Sequence, residues 1–187
     1  VNCKKLAIDS QLFERPEKLL QRSKQLAKAI QGRITGQLTI IDTTAGYGYD
    51  GFALALRGHT VTLVERDLNM YQHLIAFRQY LGLHTVQIEH ADSLQLLSQS
   101  EHQFEVAYLD PMFPTKKKSA LPKKQMQLLA NHIGAGAKEE CLNLLSLAMQ
   151  TSRKVVLKRP KYSPIMNKNQ MTYQILGQSI RFDIYLK

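Results

Sequence analysis

Apolar positions along the chain follow two alternating rhythms, one helical and one extended. Leu19, Leu20, Leu26, Ala27 and Ile30 recur at helical spacing, with Lys18, Arg22, Lys24 and Lys28 mostly on the other face, so a helix is predicted from Pro16 onward. Pro16 suits a first turn, where its missing N–H costs nothing. Residues 38–42 are a short apolar run ending in an acid and predict the first strand; residues 50–57 open a crossover helix that Gly58 closes. Residues 60–65 are β-branched and predict a second strand. A second helix follows over 68–81, with Met70, Leu74, Phe77 and Leu81 on one side and Gly82 as its stop. Residues 85–90 and 104–109 predict strands three and four, with a short helix over 93–97 between them. Two separate helices are expected over 125–132 and 138–150, then a fifth strand over 154–157. Residues 172–176 and 180–186, around Gly177-Gln178-Ser179, predict an antiparallel hairpin.

Strands alternating with helices imply an α/β fold: a mostly parallel sheet covered on both faces, closed here by a C-terminal antiparallel hairpin. In such sheets ligands sit outside the carboxyl ends of the strands. Glu65, Asp92, Asp110 and Lys158 all fall at those ends, a convergence that packing alone does not explain. The expected organisation is an N-terminal helical segment over 1–37 and one catalytic domain over 38–187.

Composition narrows the class. With 187 residues, 44% of them apolar, the chain can bury a proper core. No run of about 18 apolar residues predicts a membrane span, and the start Val1-Asn2-Cys3-Lys4-Lys5 has no apolar signal core. Cys3 and Cys141 are the only cysteines, in no C-x-x-C pattern, so neither a disulfide framework nor a zinc site is expected and a reducing cytoplasm is the default. A net charge of +10 favours polyanionic partners, nucleic acid first.

The stretch Asp42-Thr43-Thr44-Ala45-Gly46-Tyr47-Gly48-Tyr49-Asp50-Gly51 has the grammar of a strand, a ligand-binding turn and a helix. Gly46, Gly48 and Gly51 satisfy G-x-G-x-x-G, and Glu65 lies where a ribose-binding acid is expected, so a nicotinamide dinucleotide is one reading. S-adenosylmethionine is the other. Its ribose would also be held by the carboxylate of Glu65, Asp42 or Asp50 would face its ammonium group, and Asp92 or Ser93 would reach its adenine. Asp92 also suits a helix N-cap. The final hairpin favours this second cofactor, because an antiparallel strand inserted near the sheet's end is typical of class I methyltransferases.

After strand four, Asp110-Pro111-Met112-Phe113 resembles the D/N-P-P-Y/F motif of methyltransferases acting on exocyclic amino groups of bases. Such a nitrogen is flat and weakly nucleophilic. The Asp110 carboxylate and Pro111 carbonyl can accept its two N–H bonds and stabilise the positive charge that grows on it. Phe113 can stack on the base, a contact worth about 1–3 kcal/mol. Lys116, Lys117, Lys118, Lys123 and Lys124 follow at once, and Arg153, Lys154, Lys158, Arg159 and Lys161 surround strand five, so both groups are expected to grip phosphates.

Together these stretches resemble the ribosomal RNA small subunit methyltransferase J family, guanine-N2 methyltransferases with a Rossmann-like class I fold that use S-adenosylmethionine. Leu63-Val64-Glu65-Arg66, His90-Ala91-Asp92-Ser93-Leu94, Tyr108-Leu109-Asp110-Pro111-Met112-Phe113-Pro114 and Val156-Leu157-Lys158-Arg159-Pro160 carry the resemblance, with the glycine turn and Arg181-Phe182-Asp183-Ile184-Tyr185. It implies cofactor contacts at Tyr49 and Asp50, Glu65 and Arg66, Asp92 and Ser93, and Asp110, and implies ribosomal RNA as the partner; no metal is expected, because a sulfonium donor is already activated and the sequence shows no metal-ligand cluster. The family commonly has arginine at the position of Tyr49 and serine at that of Asp92. Two other readings remain open at this point: an NAD(P)-dependent oxidoreductase, which would bind NAD(P) and not S-adenosylhomocysteine, and a non-catalytic RNA-binding module, whose RNA binding would survive Asp110→Ala.

Overall fold

A computed structural model of the chain describes residues 13–101, 104–111 and 123–187. Its elements in order are α1 (Pro16–Arg22), α2 (Lys24–Gln31), β1 (Thr39–Asp42), α3 (Tyr49–Ala55), β2 (Thr60–Glu65), α4 (Leu68–Leu81), β3 (Gln87–His90), α5 (Ser93–Ser98), β4 (Phe104–Leu109), α6 (Lys123–Thr151), β5 (Ser152–Pro160), β6 (Tyr173–Leu176) and β7 (Ile180–Leu186). The strands form one sheet in the order β3-β2-β1-β4-β5-β7-β6. The first five pair in parallel, and β7 enters antiparallel between β5 and β6.

Strand alternation sends successive side chains to opposite faces. Ile40, Val106, Tyr108 and Val156 face a core completed by Leu19, Leu26, Phe52 and Phe77 from α1 to α4. Ile41, Ala107, Val155 and Leu157 face the other, completed by Leu97 of α5 and Cys141, Leu144, Leu145 and Ala148 of α6. Residues 16–31 therefore share the core of the strands.

Three elements differ from the sequence expectation. The N-terminal helix is two helices broken at buried Ser23. The Arg57 guanidinium docks on the break, donating to the Leu20 carbonyl at 2.7 Å and to Ser23 Oγ at 3.1 Å. It thereby satisfies backbone that a helix end leaves unpaired. The two helices expected over 125–132 and 138–150 are one 29-residue helix, α6, which runs through Gly136. Glycine there costs about 1 kcal/mol relative to alanine, and the apolar stripe from Cys141 to Ala148 offsets it. The fifth strand spans nine residues rather than four, because β7 pairs along it from Lys154 to Pro160.

Helix α4 keeps its expected bounds. The Asp67 side chain accepts from the Met70 N–H at 2.9 Å at one end, and Gly82 takes φ 67° at the other. Among the described residues no helix is long and apolar enough to cross a membrane.

Candidate active site

The carboxyl ends of β1, β2, β3 and β4 open onto a cavity of about 310 Å³. Thr43, Thr44 and Gly46 form its floor, Glu65 and Arg66 one side, Asp92 and Ser93 another, and Asp110 and Pro111 the far edge; Ala137, Glu140, Cys141 and Leu144 of α6 cover it. Most of the rim residues expected from sequence thus meet in one place.

The glycine turn makes this possible. Gly46 and Gly48 adopt φ 52° and 78°, a region side chains disfavour. A Cβ on Gly46 would project into open space, its nearest neighbour Thr44 O at 3.9 Å. The Gly46 N–H donates to Glu65 Oε2 and the Asp67 N–H to Glu65 Oε1, both at 2.8 Å. The carboxylate is thereby oriented while keeping lone pairs for a vicinal diol.

Asp92 caps α5, accepting from the Leu94 and Gln95 N–H groups at 2.9 and 3.2 Å, and its other oxygen lies 3.6 Å from Arg66. The cap and the place on the cavity wall hold together. Ser93 Oγ donates to the Thr43 carbonyl at 2.6 Å, joining α5 to the turn after β1. Arg66 crosses to α6, 2.9 Å from Glu140 Oε1.

The edge at Asp110 is a charge network. Its N–H donates to Thr44 Oγ1 at 2.7 Å. Its Oδ2 accepts from Lys158 Nζ at 2.7 Å, and the same ammonium donates to Asp50 Oδ2 at 2.9 Å, which also accepts from the Tyr108 hydroxyl at 2.6 Å. Burial raises the Asp110 carboxyl above its usual range, and Lys158 opposes that rise. Burial alone would lower Lys158, but Asp50 and Asp110 outweigh it and the ammonium is held more firmly than usual. Tyr108 is driven well up by burial and by Asp50, so its phenol stays a donor. Beneath them Asp42, only 1% exposed, is pushed up to about 8 by burial despite its hydrogen bond from the Thr44 N–H.

Several expected residues sit elsewhere. Asp42 lies under the turn and does not line the cavity; Asp50 joins it only through Lys158. Gly48 lies against Leu74 and Phe52. Tyr49 turns from the cavity, its ring edge-on to Phe77 at 5.9 Å with the Arg22 guanidinium 5.0 Å above it. Arg159, expected to grip phosphate, is 5% exposed and donates to Ser163 Oγ and the Pro164 carbonyl. Strand geometry explains the split: Lys158 shares the face of Val156, Arg159 that of Leu157, so adjacent bases on one strand cannot serve one ligand. Lys154 is also buried, its Nζ donating to the Ile30 carbonyl at 2.9 Å. Phe113, Lys116, Lys117 and Lys118 lie outside the described residues, and Lys123 and Lys124 open α6, where only the backbone is described.

Sequence reasoning missed Thr44, Tyr108 and the α6 wall. Tyr108 stands two residues before Asp110 on the same strand face, a spacing that signals shared surroundings. Among the described residues no group of three or more His, Cys, Asp or Glu side chains is placed to hold a metal.

Sheet order separates the two cofactor readings. Dinucleotide folds run 3-2-1-4-5-6; here antiparallel β7 stands between β5 and the last strand, so the nicotinamide reading falls. A parallel sheet with this insertion, with a glycine turn after β1 and an acid at the end of β2 on one cavity, has the architecture of a class I S-adenosylmethionine-dependent methyltransferase. Residues 7–187 match the family model described as "Putative SAM-dependent methyltransferase". The chain is 36% identical to the ribosomal RNA small subunit methyltransferase J of Francisella tularensis subsp. novicida, over 98% of this chain and 81% of that protein. It is 39% identical to the protein of the same name from Psychromonas ingrahamii, over 89% of this chain and 68% of that one. A SAM-dependent methyltransferase from Neisseria gonorrhoeae superposes with a TM-score of 0.68 at 26% identity, covering 88% of this chain and 71% of that one. The chain belongs to the ribosomal RNA small subunit methyltransferase J family, and its cofactor is S-adenosylmethionine.

Proposed function

We propose that this enzyme methylates the N2 amino group of a guanine in small-subunit (16S) ribosomal RNA, acting in the cytoplasm. The observation that carries the reading is the placing of Asp110 and Pro111 together on the cavity edge, beside the cofactor-binding turn. Bound there, S-adenosylmethionine supplies a methyl group already activated on a sulfonium, so no metal is needed. The chain's own residues handle the acceptor. The Asp110 carboxylate and Pro111 carbonyl take the two N–H bonds of the amino group, which turns its lone pair toward the methyl carbon. Attack of that lone pair on the donor's methyl group would be an in-line displacement with the thioether as leaving group, and holding the nitrogen in line would be the main contribution of Asp110 and Pro111. The surplus proton leaves the nitrogen along its hydrogen bond to Asp110, whose burial favours receiving it. Phe113 stacks on the base and the lysines after it hold phosphates. The names of the relatives, each a ribosomal RNA small subunit methyltransferase J, support ribosomal RNA over another nucleic acid.

The test is methyl transfer from labelled S-adenosylmethionine to small ribosomal subunits lacking their native N2-guanine methylation, with the product nucleoside identified by mass. N2-methylguanosine that disappears with Asp110→Ala is expected. Binding of S-adenosylhomocysteine without any transfer would return the substrate to question, and RNA binding untouched by Asp110→Ala with no transfer would mark a non-catalytic module.

A further inference from the structure

Lys158 stands where its sequence neighbourhood suggests a phosphate clamp, yet its surroundings are acidic. Its side chain is 24% exposed, and its ammonium bridges Asp50 and Asp110. A phosphate would have to displace two carboxylates from it. We propose that Lys158 is a positioning residue for methyl transfer, fixing the Asp110 carboxylate in one orientation and in its ionised form so that it can accept from the target amino group. The inference rests on the reading that Asp110 receives that group.

The geometry supports it in two ways. The Asp110 backbone is held by Thr44, but among the described residues only Lys158 bonds its carboxylate. That bond occupies Oδ2 and leaves Oδ1 to the incoming N–H. Lys158 is itself fixed from behind, since Asp50 is tied to the Tyr108 hydroxyl. The chain Tyr108, Asp50, Lys158, Asp110 therefore crosses from β4 to α3 to β5 and back to β4.

The second support is charge. Among the described residues, the groups that face Asp110 are Lys158 from β5, Asp50 from α3, Asp42 from β1 and the neutral phenol of Tyr108 from its own strand. Lys158 is the cation of that set. Without it, burial and the Asp50 charge both favour a protonated Asp110. A protonated Asp110 offers an O–H donor where the amino group needs an acceptor. A merely structural ion pair would alter stability and the Asp110 titration without moving the acidic limb of methyl transfer.

The experiment compares the full chain with its Lys158→Gln and Lys158→Arg variants. The Asp110 carboxyl is titrated by ¹³C NMR without RNA, and single-turnover methyl transfer is followed against pH. In Lys158→Gln the Asp110 midpoint is expected to rise by about one pH unit or more, and the acidic limb of the rate profile with it, a tenfold loss for each unit below the limb. Lys158→Arg keeps the charge and is expected to titrate near wild type. An Asp110 midpoint equal in wild type and Lys158→Gln overturns the proposal, as does a lowered rate with an unmoved limb. Should Lys158→Gln not fold, a raised midpoint in Lys158→Arg overturns it instead. A wild-type chain that transfers no methyl group defeats the function proposed above, while the NMR titration still decides whether Lys158 governs Asp110.

Discussion

The Gly46 N–H points at Glu65 Oε2 from 2.8 Å, so the turn after β1 and the acid ending β2 form one unit. Replacing Glu65 with Gln puts an amide NH₂ among N–H donors and removes the charge offered to the cofactor's ribose. A hydrogen bond to a charged group contributes about 1.5–3 kcal/mol, so S-adenosylhomocysteine is expected to bind about 10- to 100-fold more weakly. Isothermal titration calorimetry reads this directly, and unchanged affinity would move the ribose away from Glu65.

Gly48 is constrained by space as well as by backbone. A Cβ there would lie 2.5 Å from Leu74 Cδ2 and 2.6 Å from Phe52 Cε2, at a φ of 78°. Gly48→Ala is expected to destabilise by about 1–3 kcal/mol from overpacking, with a further penalty for the left-handed conformation. A lowered urea midpoint with unchanged m is the expected result. A midpoint like that of wild type would show that the turn can relax.

Asp42 gives a pH dependence whose sign is fixed. Its carboxyl titrates near 3.9 when unfolded and at about 8 when folded. The native state thus binds the extra proton between those values. The stability Asp42 contributes is complete below about pH 4 and is lost as pH rises through about 8. Asp42→Asn stays neutral throughout, so the wild-type chain should lose stability relative to it from pH 5 to pH 9 in urea melts. Lys154, lowered to about 8 by burial, slopes the other way, but it is common to both proteins and cancels in the difference. Parallel curves would mean that Asp42 is ionised in the folded protein.

Arg181 holds the end of β5. It donates to Asp183 through Nε at 2.7 Å and Nη2 at 3.1 Å, and through Nη1 to the carbonyls of Pro160, Lys161 and Ser163. Asp183 is 0% exposed. Arg181→Ala leaves that carboxylate with Gln174 alone among the described partners, and breaking a buried pair costs about 3–5 kcal/mol. Guanidinium unfolding should show the loss, and Arg181→Met with Asp183→Leu should recover part of it. If the single variant were as stable as wild type, the pair would be dispensable.

The lysines after Pro114 and the buried Arg159 should separate in binding to RNA. Each phosphate contact contributes about 0.7 to the slope of log K against log salt for a single strand. Replacing Lys116, Lys117 and Lys118 with Gln is expected to flatten that slope, and Arg159→Gln to lower the melting temperature while leaving the slope alone. A slope that falls with Arg159→Gln would place its guanidinium on the RNA.

What was legible in the sequence was whatever local chemistry decides. Gly82 stops α4, and Glu65 at the end of β2 and Asp110 just after β4 line the cavity, because helix stops and strand ends are properties of a few consecutive residues. The break at Ser23 was hidden, since the group that stabilises it, Arg57, lies 34 residues away. The partners of Lys158 were hidden for the same reason, being 108 and 48 residues distant. Arg159 was different. The period of a strand already separated it from Lys158, and reading the two as one basic cluster ignored that alternation.

The place of β7 also sets an order of events in time. β6 is made before β7, yet it touches the sheet only through β7, which must first lie down along β5. Pairing that skips a neighbour raises contact order and slows folding. Until residues 180–186 arrive, β5 has an open edge, and the Asp183 side chain that receives Arg181 is not yet in place. The segment after Lys158 is thus the last to settle, and the open edge of the strand that carries Lys158 is covered by the strand synthesised last among those forming the sheet.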